Sequence, residues 1–359
     1  MQSFFQKNKM IMRFFLLSLF STCVLSAGCN PKNDNKIAVG KGSMPCITKD
    51  QQNHIHIVYG AGDSIMYTSS KEGKAYSHPE LVAILPGVYD IATRGPQIAA
   101  TANGIVITAC DKTGNIYSYT KAAKEGWQQA KRVNDKNEIS KEGLMSLSAD
   151  GSFVYAIWLG VNNPKGQSVY GAGSADGGKT WSKNIIVYAS PSGSVCECCK
   201  PSVVVKGTKV YVMFRNWLNG NRDLYLTESA DGGKTFGEAQ KSGSGSWKLN
   251  GCPMDGGGLV VNANKIPQAV WRRKDAIYTA EPGSPEKVIG TGRSCTIETI
   301  NNKNIYAWTE KGDVVVMKGD GTKINLGKGN MPLLKAINNK KVICVWENEN
   351  EIFTESLEL

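Results

Sequence analysis

From Lys36 to the last residue, apolar and polar side chains alternate in short runs, and Gly, Asn, Asp or Lys interrupts them every few positions. "HIHIVYG" at 54–60, "VYVMF" at 210–214 and "KVICVW" at 341–346 show the pattern. A period near two, carried by Val, Ile, Tyr and Trp, predicts β-strands, since successive strand side chains point to opposite faces. No stretch sustains the 3.6-residue period of a helix, so the expected class is all-β.

The runs repeat. Seven segments begin with a small cluster of Pro, Met or Cys and continue as strand, turn, strand. They are "MPCITKDQQNHIHIVYG" from Met44, "RGPQIAATANGIVITACD" from Arg94, "LMSLSADGSFVYAIWLG" from Leu144 and "CKPSVVVKGTKVYVMFRN" from Cys199. "CPMDGGGLVVNANKIPQAVWRR" from Cys252, "SCTIETINNKNIYAWTEKGD" from Ser294 and "MPLLKAINNKKVICVWENEN" from Met331 follow. In most, a third strand comes next, as in "SIMYTSS", "NIYSYTK", "SVYGAGS" and "DLYLTES". A repeat of this length suits four-stranded propeller blades. The last unit stops at a third strand, "EIFTESLEL", while a spare strand, "NKIAVG", precedes the first. An N-terminal strand completing the last blade leaves no open sheet edge. The expectation is therefore a β-propeller over residues 37–359, seven-bladed with six as the alternative, closed by its N-terminal strand.

Ahead of it, Lys7, Lys9 and Arg13 precede an apolar run from about Phe14 to Leu25 that is short for a bilayer span. Small residues and Cys29 follow, the layout of an export signal. "LSAGC" at 25–29 resembles the lipobox of bacterial lipoproteins. That resemblance implies cleavage after residue 28, lipid on Cys29 as the membrane anchor, and a polar tether over 29–36. Asn30 after the cysteine favours the outer membrane, on its periplasmic or surface face. Losing Lys7, Lys9 and Arg13 with residues 1–28 lowers the net charge from +11 to +8 over 331 residues. The surplus is spread out without a basic block, and an exported protein meets no nucleic acid, so a solvated surface or attraction to acidic glycans remains.

One word is written twice: "SADGGKTW" at 174–181 and "SADGGKTF" at 229–236. It resembles the Asp-box, or BNR repeat, of sialidase-type propellers. Ser174, Asp176, Gly178 and Trp181, and likewise Ser229, Asp231, Gly233 and Phe236, are expected to build a turn between third and fourth strands. The aspartates would accept main-chain N–H groups, the glycines would take positive φ, and the rings would pack between blades. Weaker copies stand at Ser69–Tyr76 and Thr120–Trp127.

Sialidases hold a substrate carboxylate with three arginines and use a tyrosine nucleophile, a glutamate that activates it and an aspartate acid/base. "RGP" at 94–96 is similar to the family's R-I-P start, which implies Arg94 as one clamp. Arg215 and Arg272 or Arg273 fall at comparable strand ends and complete the set. Asp111, or Asp90, is the candidate acid/base. Where the family pattern has glutamate, this chain has Lys200 beside Pro201, and a protonated lysine cannot deprotonate a tyrosine. Glu298 is the remaining carboxylate of interest, and Tyr306 falls on a second strand rather than at the nucleophile's place.

The cysteines point elsewhere. After cleavage and lipidation eight remain, at 46, 110, 196, 198, 199, 252, 295 and 344. Cys110 and Cys344 fall on second strands and read as buried core. Cys46, Cys196, Cys198, Cys199, Cys252 and Cys295 cluster at first-strand starts with Met254, so a ring of soft donors at one channel mouth could hold copper or a similar metal. In an oxidising envelope disulfides compete for the same residues, with Cys196 or Cys198 joined to Cys199 or to Cys252. His54 and His56 share a strand face and read as solvated sheet residues. Three readings stand: a binding protein with a Cys/Met/Arg-lined mouth, with Lys200, Arg273 and Glu298 as further contacts, for a soft metal or an acidic ligand; an exo-sialidase or related glycosidase; and an assembly scaffold.

Overall fold

The computed structural model describes residues 36–163 and 166–359. The export signal, Cys29 and nearly all of the tether lie outside the described residues.

The fold is a seven-bladed β-propeller of seven four-stranded antiparallel sheets. Blade 1 holds β2 (Ser43–Lys49), β3 (His54–Ala61), β4 (Ser64–Lys71) and β5 (Glu80–Ile84). Blade 2 holds β6 (Gln97–Thr101), β7 (Gly104–Cys110), β8 (Ile116–Ala122) and β9 (Lys131–Arg132). Blade 3 holds β10 (Met145–Asp150), β11 (Phe153–Asn163), β12 (Gly166–Ser174) and β13 (Ile185–Tyr188). Blade 4 holds β14 (Ser202–Lys206), β15 (Lys209–Leu218), β16 (Asn221–Ser229) and β17 (Gln240–Lys241). Blade 5 holds β18 (Gly258–Val261), β19 (Pro267–Arg273), β20 (Ala276–Ala280) and β21 (Lys287–Thr291). Blade 6 holds β22 (Arg293–Ile300), β23 (Lys303–Glu310), β24 (Asp313–Met317) and β25 (Lys323–Lys328).

Blade 7 is shared between the chain ends. β26 (Asn330–Asn338), β27 (Lys341–Asn348) and β28 (Glu351–Glu358) are completed by β1 (Ile37–Lys41), which pairs antiparallel with β28 from Ile37 opposite Thr354 to Lys41 opposite Glu351. The inner strands β2, β6, β10, β14, β18, β22 and β26 touch one another in sequence, and β26 returns to β2. The closure expected from the spare N-terminal strand is present.

Second strands carry the core. Trp158, Trp271, Trp308 and Trp346 are buried on β11, β19, β23 and β27, with Tyr59 on β3. Apolar clusters lie between successive blades, such as Val58, Ile65 and Tyr67 against Ile98 and Ile107. Burying such rings contributes about 25 cal/mol per Å² removed from water, so the inter-blade seams rather than the channel hold the ring together.

Both repeated words fold identically. Asp176 Oδ1 accepts the Lys179 and Thr180 N–H groups at 3.0 and 2.9 Å, and its Oδ2 accepts the Thr180 hydroxyl at 2.6 Å. Asp231 repeats this with Lys234 and Thr235. Each turn is pinned to the preceding blade. Trp181 Nε1 donates to Ser118 Oγ at 2.9 Å, and Tyr155 donates to the Gly233 carbonyl at 2.8 Å. Gly178 and Gly233 have φ of 91° and 75°, and a Cβ there would stand 2.4 Å from Val106 Cγ2 and 2.0 Å from the Tyr155 ring. The degenerate copy follows suit, with Gly73 against Ile343.

Candidate functional site: the channel and the cysteine cluster

The inner strands enclose a channel of about 870 Å³. At its entrance three blades repeat an unusual backbone feature. Met44, Ser294 and Met331 take φ of 53°, 55° and 53°, each inside a register shift of β2, β22 or β26. Met254, ahead of β18, has φ of 49°. Left-handed backbone at non-glycine residues costs about 1–3 kcal/mol and concentrates at functional positions. At Met44 the freed N–H donates to Glu347 Oε2 at 2.5 Å.

Lys200, just before β14, reaches into the channel. Its Nζ donates to Gln97 Oε1 at 2.8 Å, joining blade 4 to blade 2. Cys46 Sγ approaches the same oxygen at 3.9 Å. Among the described residues Lys200 takes part in no ion pair, and burial lowers its pKa. Further along the channel Lys335 Nζ lies 3.0 Å from Glu298 Oε2, which raises the lysine's pKa. Lys49 extends from β2 to the Ile337 carbonyl at 2.8 Å, with its pKa lowered by burial and then by Lys335. The lining carries five lysines, at 49, 200, 206, 265 and 335, and three carboxylates, of which Asp255 and Glu298 are paired with Arg272 and Lys335 and Asp150 accepts the Gly207 N–H. Gln97, Lys335 and Lys49 escape sequence reasoning, although a lysine in the otherwise apolar "MPLLKAI" is the signal that marks Lys335.

The arginines are placed differently from the family expectation. Arg215 is 1% exposed, and its guanidinium donates to the main-chain carbonyls of Asp255, Arg222 and Arg272 at 2.7–3.2 Å. Arg272 donates to Asp255 Oδ2 at 3.0 Å and to the Pro253 and Lys274 carbonyls. Arg94 is held by Glu142 and the Ala92 carbonyl, at the seam of blades 2 and 3. Arg273 pairs with Glu286 and lies over the Tyr278 ring. Thus Arg215 and Arg272 come together around Asp255, while Arg94 and Arg273 are bound up elsewhere. Asp111 is buried in its own turn, accepting from the Thr113 N–H and hydroxyl and from Asn115 N. Asp90 Oδ2 accepts the Gly62 N–H at 3.2 Å. Tyr306, on β23, shares a hydrogen bond with Thr279.

The sulfur ring resolves into two groups. Met44, Cys46, Met254, Cys295 and Met331 line the channel, with Cys295 also packed into the seam of blades 5 and 6. Cys196, Cys198, Cys199 and Cys252 gather instead where the entry to blade 4 meets the loop into blade 5. Cys198 and Cys252 form a disulfide, and Cys196 Sγ lies 3.8 Å from Cys198 Sγ and 3.5 Å from Cys199 Sγ. The Cys198, Cys196 and Cys199 sulfurs are the sole three-donor metal-type cluster among the described residues, and the disulfide takes one of them. Cys110 and Cys344 are core residues, as their strand placement suggested. His56 departs from the solvated reading. It is buried, bonded to Tyr67 at 2.6 Å and sharing Asp50 Oδ2 with His54, and burial lowers its pKa.

No protein-family model and no curated protein matches this sequence. Solved structures do match in fold. The BP39L lectin from Burkholderia pseudomallei aligns with a TM-score of 0.64 at 8% identity, covering 89% of this chain and 96% of the lectin. The polysaccharide lyase Uly1 aligns at 0.54 and 10% identity, over 90% of this chain and 91% of the lyase. The NanB sialidase from Streptococcus pneumoniae aligns at 0.46 and 12% identity, over 90% of this chain and 70% of the sialidase. At such identities the lectin and lyase alignments show a shared propeller fold and nothing of function.

Proposed function

We propose that the chain is a non-hydrolytic binding protein whose central channel receives an acidic ligand, with an acidic glycan as the favoured class. Lys200 carries the proposal. A half-buried ammonium facing the channel, bonded to the neutral Gln97 and to no carboxylate, is under-compensated, and withdrawing charge from water without a partner is costly. A carboxylate or sulfate entering the channel would supply that partner. The Lys335–Glu298 pair offers further hydrogen bonds to hydroxyl groups. Propeller lectins such as BP39L share the architecture.

Hydrolysis is disfavoured because the arginines meant to clamp a substrate are saturated by protein acceptors. Titration calorimetry with sialic-acid and uronic-acid oligosaccharides, against neutral counterparts, tests the reading. Acidic sugars are expected to bind in a salt-sensitive way. Lys200→Met should weaken them at least about tenfold, the value of one lost charge-assisted hydrogen bond. Equal binding of neutral sugars, or an unaffected Lys200→Met variant, would sink the channel reading. We also propose export and lipid anchoring through Cys29, which metabolic labelling with a palmitate analogue checks: Cys29→Ser should abolish incorporation.

A further inference from the structure

Four sulfur atoms outside the channel remain without a role. Cys196 and Cys199 have C-x-x-C spacing, and the main chain turns tightly between them, with Cys199 N 3.5 Å from the Cys196 carbonyl and Cys196 N donating to the Arg215 carbonyl at 2.9 Å. The turn sets the two thiols side by side at 3.5 Å. Cys198, between them in sequence, is bonded to Cys252. The exposures are graded: Cys196 and Cys199 are buried, Cys198 is partly exposed, and Cys252 is exposed.

Arg222 Nη1 stands 3.0 Å from Cys196 Sγ, with its guanidinium held by the Leu249 carbonyl and stacked over Trp217. The hydrogen bond from Cys199, opposed by burial and aided by Arg222 and Arg215, brings the Cys196 pKa down to about 6. Burial pushes the Cys199 thiol up. A thiolate attacks a disulfide sulfur, and the departing sulfur leaves as a thiolate. Cys196 has the charge, and a disulfide sulfur lies 3.8 Å away.

We propose that these four cysteines form a thiol–disulfide exchange site, which moves a disulfide between the surface pair Cys198–Cys252 and the buried pair Cys196–Cys199. In the first step the Cys196 thiolate attacks Cys198 Sγ. A Cys196–Cys198 bond forms, the Cys198–Cys252 bond breaks, and Cys252 departs as a thiolate that takes a proton from water. In the second, Cys199, giving its proton to solvent, attacks Cys196 Sγ. A Cys196–Cys199 bond forms and Cys198 leaves as a thiolate. No outside oxidant is consumed, because the disulfide is only relocated. The surface dithiol can then reduce a small-molecule disulfide, releasing two thiols and restoring Cys198–Cys252. The two electrons come from the Cys196/Cys199 pair. None of the four cysteines lines the channel, although Cys199 directly precedes Lys200, and the exchange is read by disulfide mapping rather than by ligand binding, so the two proposals fail separately.

The test uses the intact protein, purified without reductant and incubated natively at neutral pH with excess N-ethylmaleimide. Disulfides and adducts are then mapped by peptide mass spectrometry. In the wild type, Cys252 should become alkylated while a Cys196–Cys199 bond accumulates. Cys196→Ser should slow Cys252 alkylation at least tenfold, and Cys199→Ser should stall the bond at Cys196–Cys198. Arg222→Gln should move the rise of the rate with pH upward, because the guanidinium that favours the Cys196 thiolate is gone. Circular dichroism confirms that each variant folds. A wild-type protein that keeps Cys198–Cys252 and leaves Cys252 unlabelled overturns the proposal without any variant. So does equal labelling in the wild type and Cys196→Ser, or a metal ion bound by all four sulfurs with no disulfide present.

Discussion

At the scale of single residues, Lys200 concentrates both the cost and the use of the channel. Its pKa is lowered by burial, so the neutral form gains ground at a lower pH than for an ordinary lysine at 10.5. An anion binds the protonated form. Affinity for an acidic sugar should therefore fall as pH rises through that lowered value, and calorimetry across the range below 10.5 follows the loss. In the free protein the sign runs the other way. Protonated Lys200 disfavours the fold, so stability rises as pH climbs from the lowered value toward the unfolded one. The fate of this side chain was not legible in the sequence. Alternation assigns a strand face, but Lys200 sits in the turn before β14, where no alternation applies. The left-handed residues Met44, Ser294 and Met331 likewise reset the count of faces in three inner strands, placing Cys46 and Cys295 on different sides of their strands despite similar positions near the blade starts. The arginines misled for another reason: residue type reveals an available guanidinium, not the carbonyls that already occupy it.

At the scale of elements, the repeated octapeptides are fasteners between blades. Gly233→Ala should destabilise the protein by about 2–4 kcal/mol, since it combines a positive φ with a Cβ driven into the buried Tyr155 ring. Chemical denaturation measures it, and a loss below about 0.5 kcal/mol would contradict the seam geometry. Asp231 is held below the usual carboxylate range by the Thr235 hydroxyl and N–H, then Ser229. Its contribution is fully present above its unfolded pKa of about 3.9 and is lost as pH falls through the lower folded value. Asp231→Asn should accordingly flatten the acid limb of stability against pH. These turns, the seven blades and the closing strand were all readable, because they are set by local chemistry repeated along the chain. The meeting of Cys198 with Cys252 was only one of several pairings open to the sequence, since it joins two blades' entry loops across 54 residues.

At the scale of the whole molecule, architecture and chemistry part company. The fold is shared with a lectin and a polysaccharide lyase, and the arginines that would clamp a sialidase substrate here serve seams and loops. No turnover of a fluorogenic sialoside is therefore expected, and hydrolysis lost on Arg215→Ala would overturn the binding assignment. The positive surplus, +11 over the full sequence and +8 without residues 1–28, adds a diffuse attraction for acidic ligands that 0.5 M salt should largely screen, leaving the shorter-range contacts inside the channel.

Blade 7 has a consequence for how the protein comes into being. Ile37 meets Thr354, partners separated by nearly the full length of the chain. The ring cannot shut until β28 has been synthesised and brought to β1, so a growing polypeptide has blades but no closed pore. Recognition is born in one event, at the end of folding, and a chain cut short by even its last strand should emerge blind to ligand rather than weakly sighted.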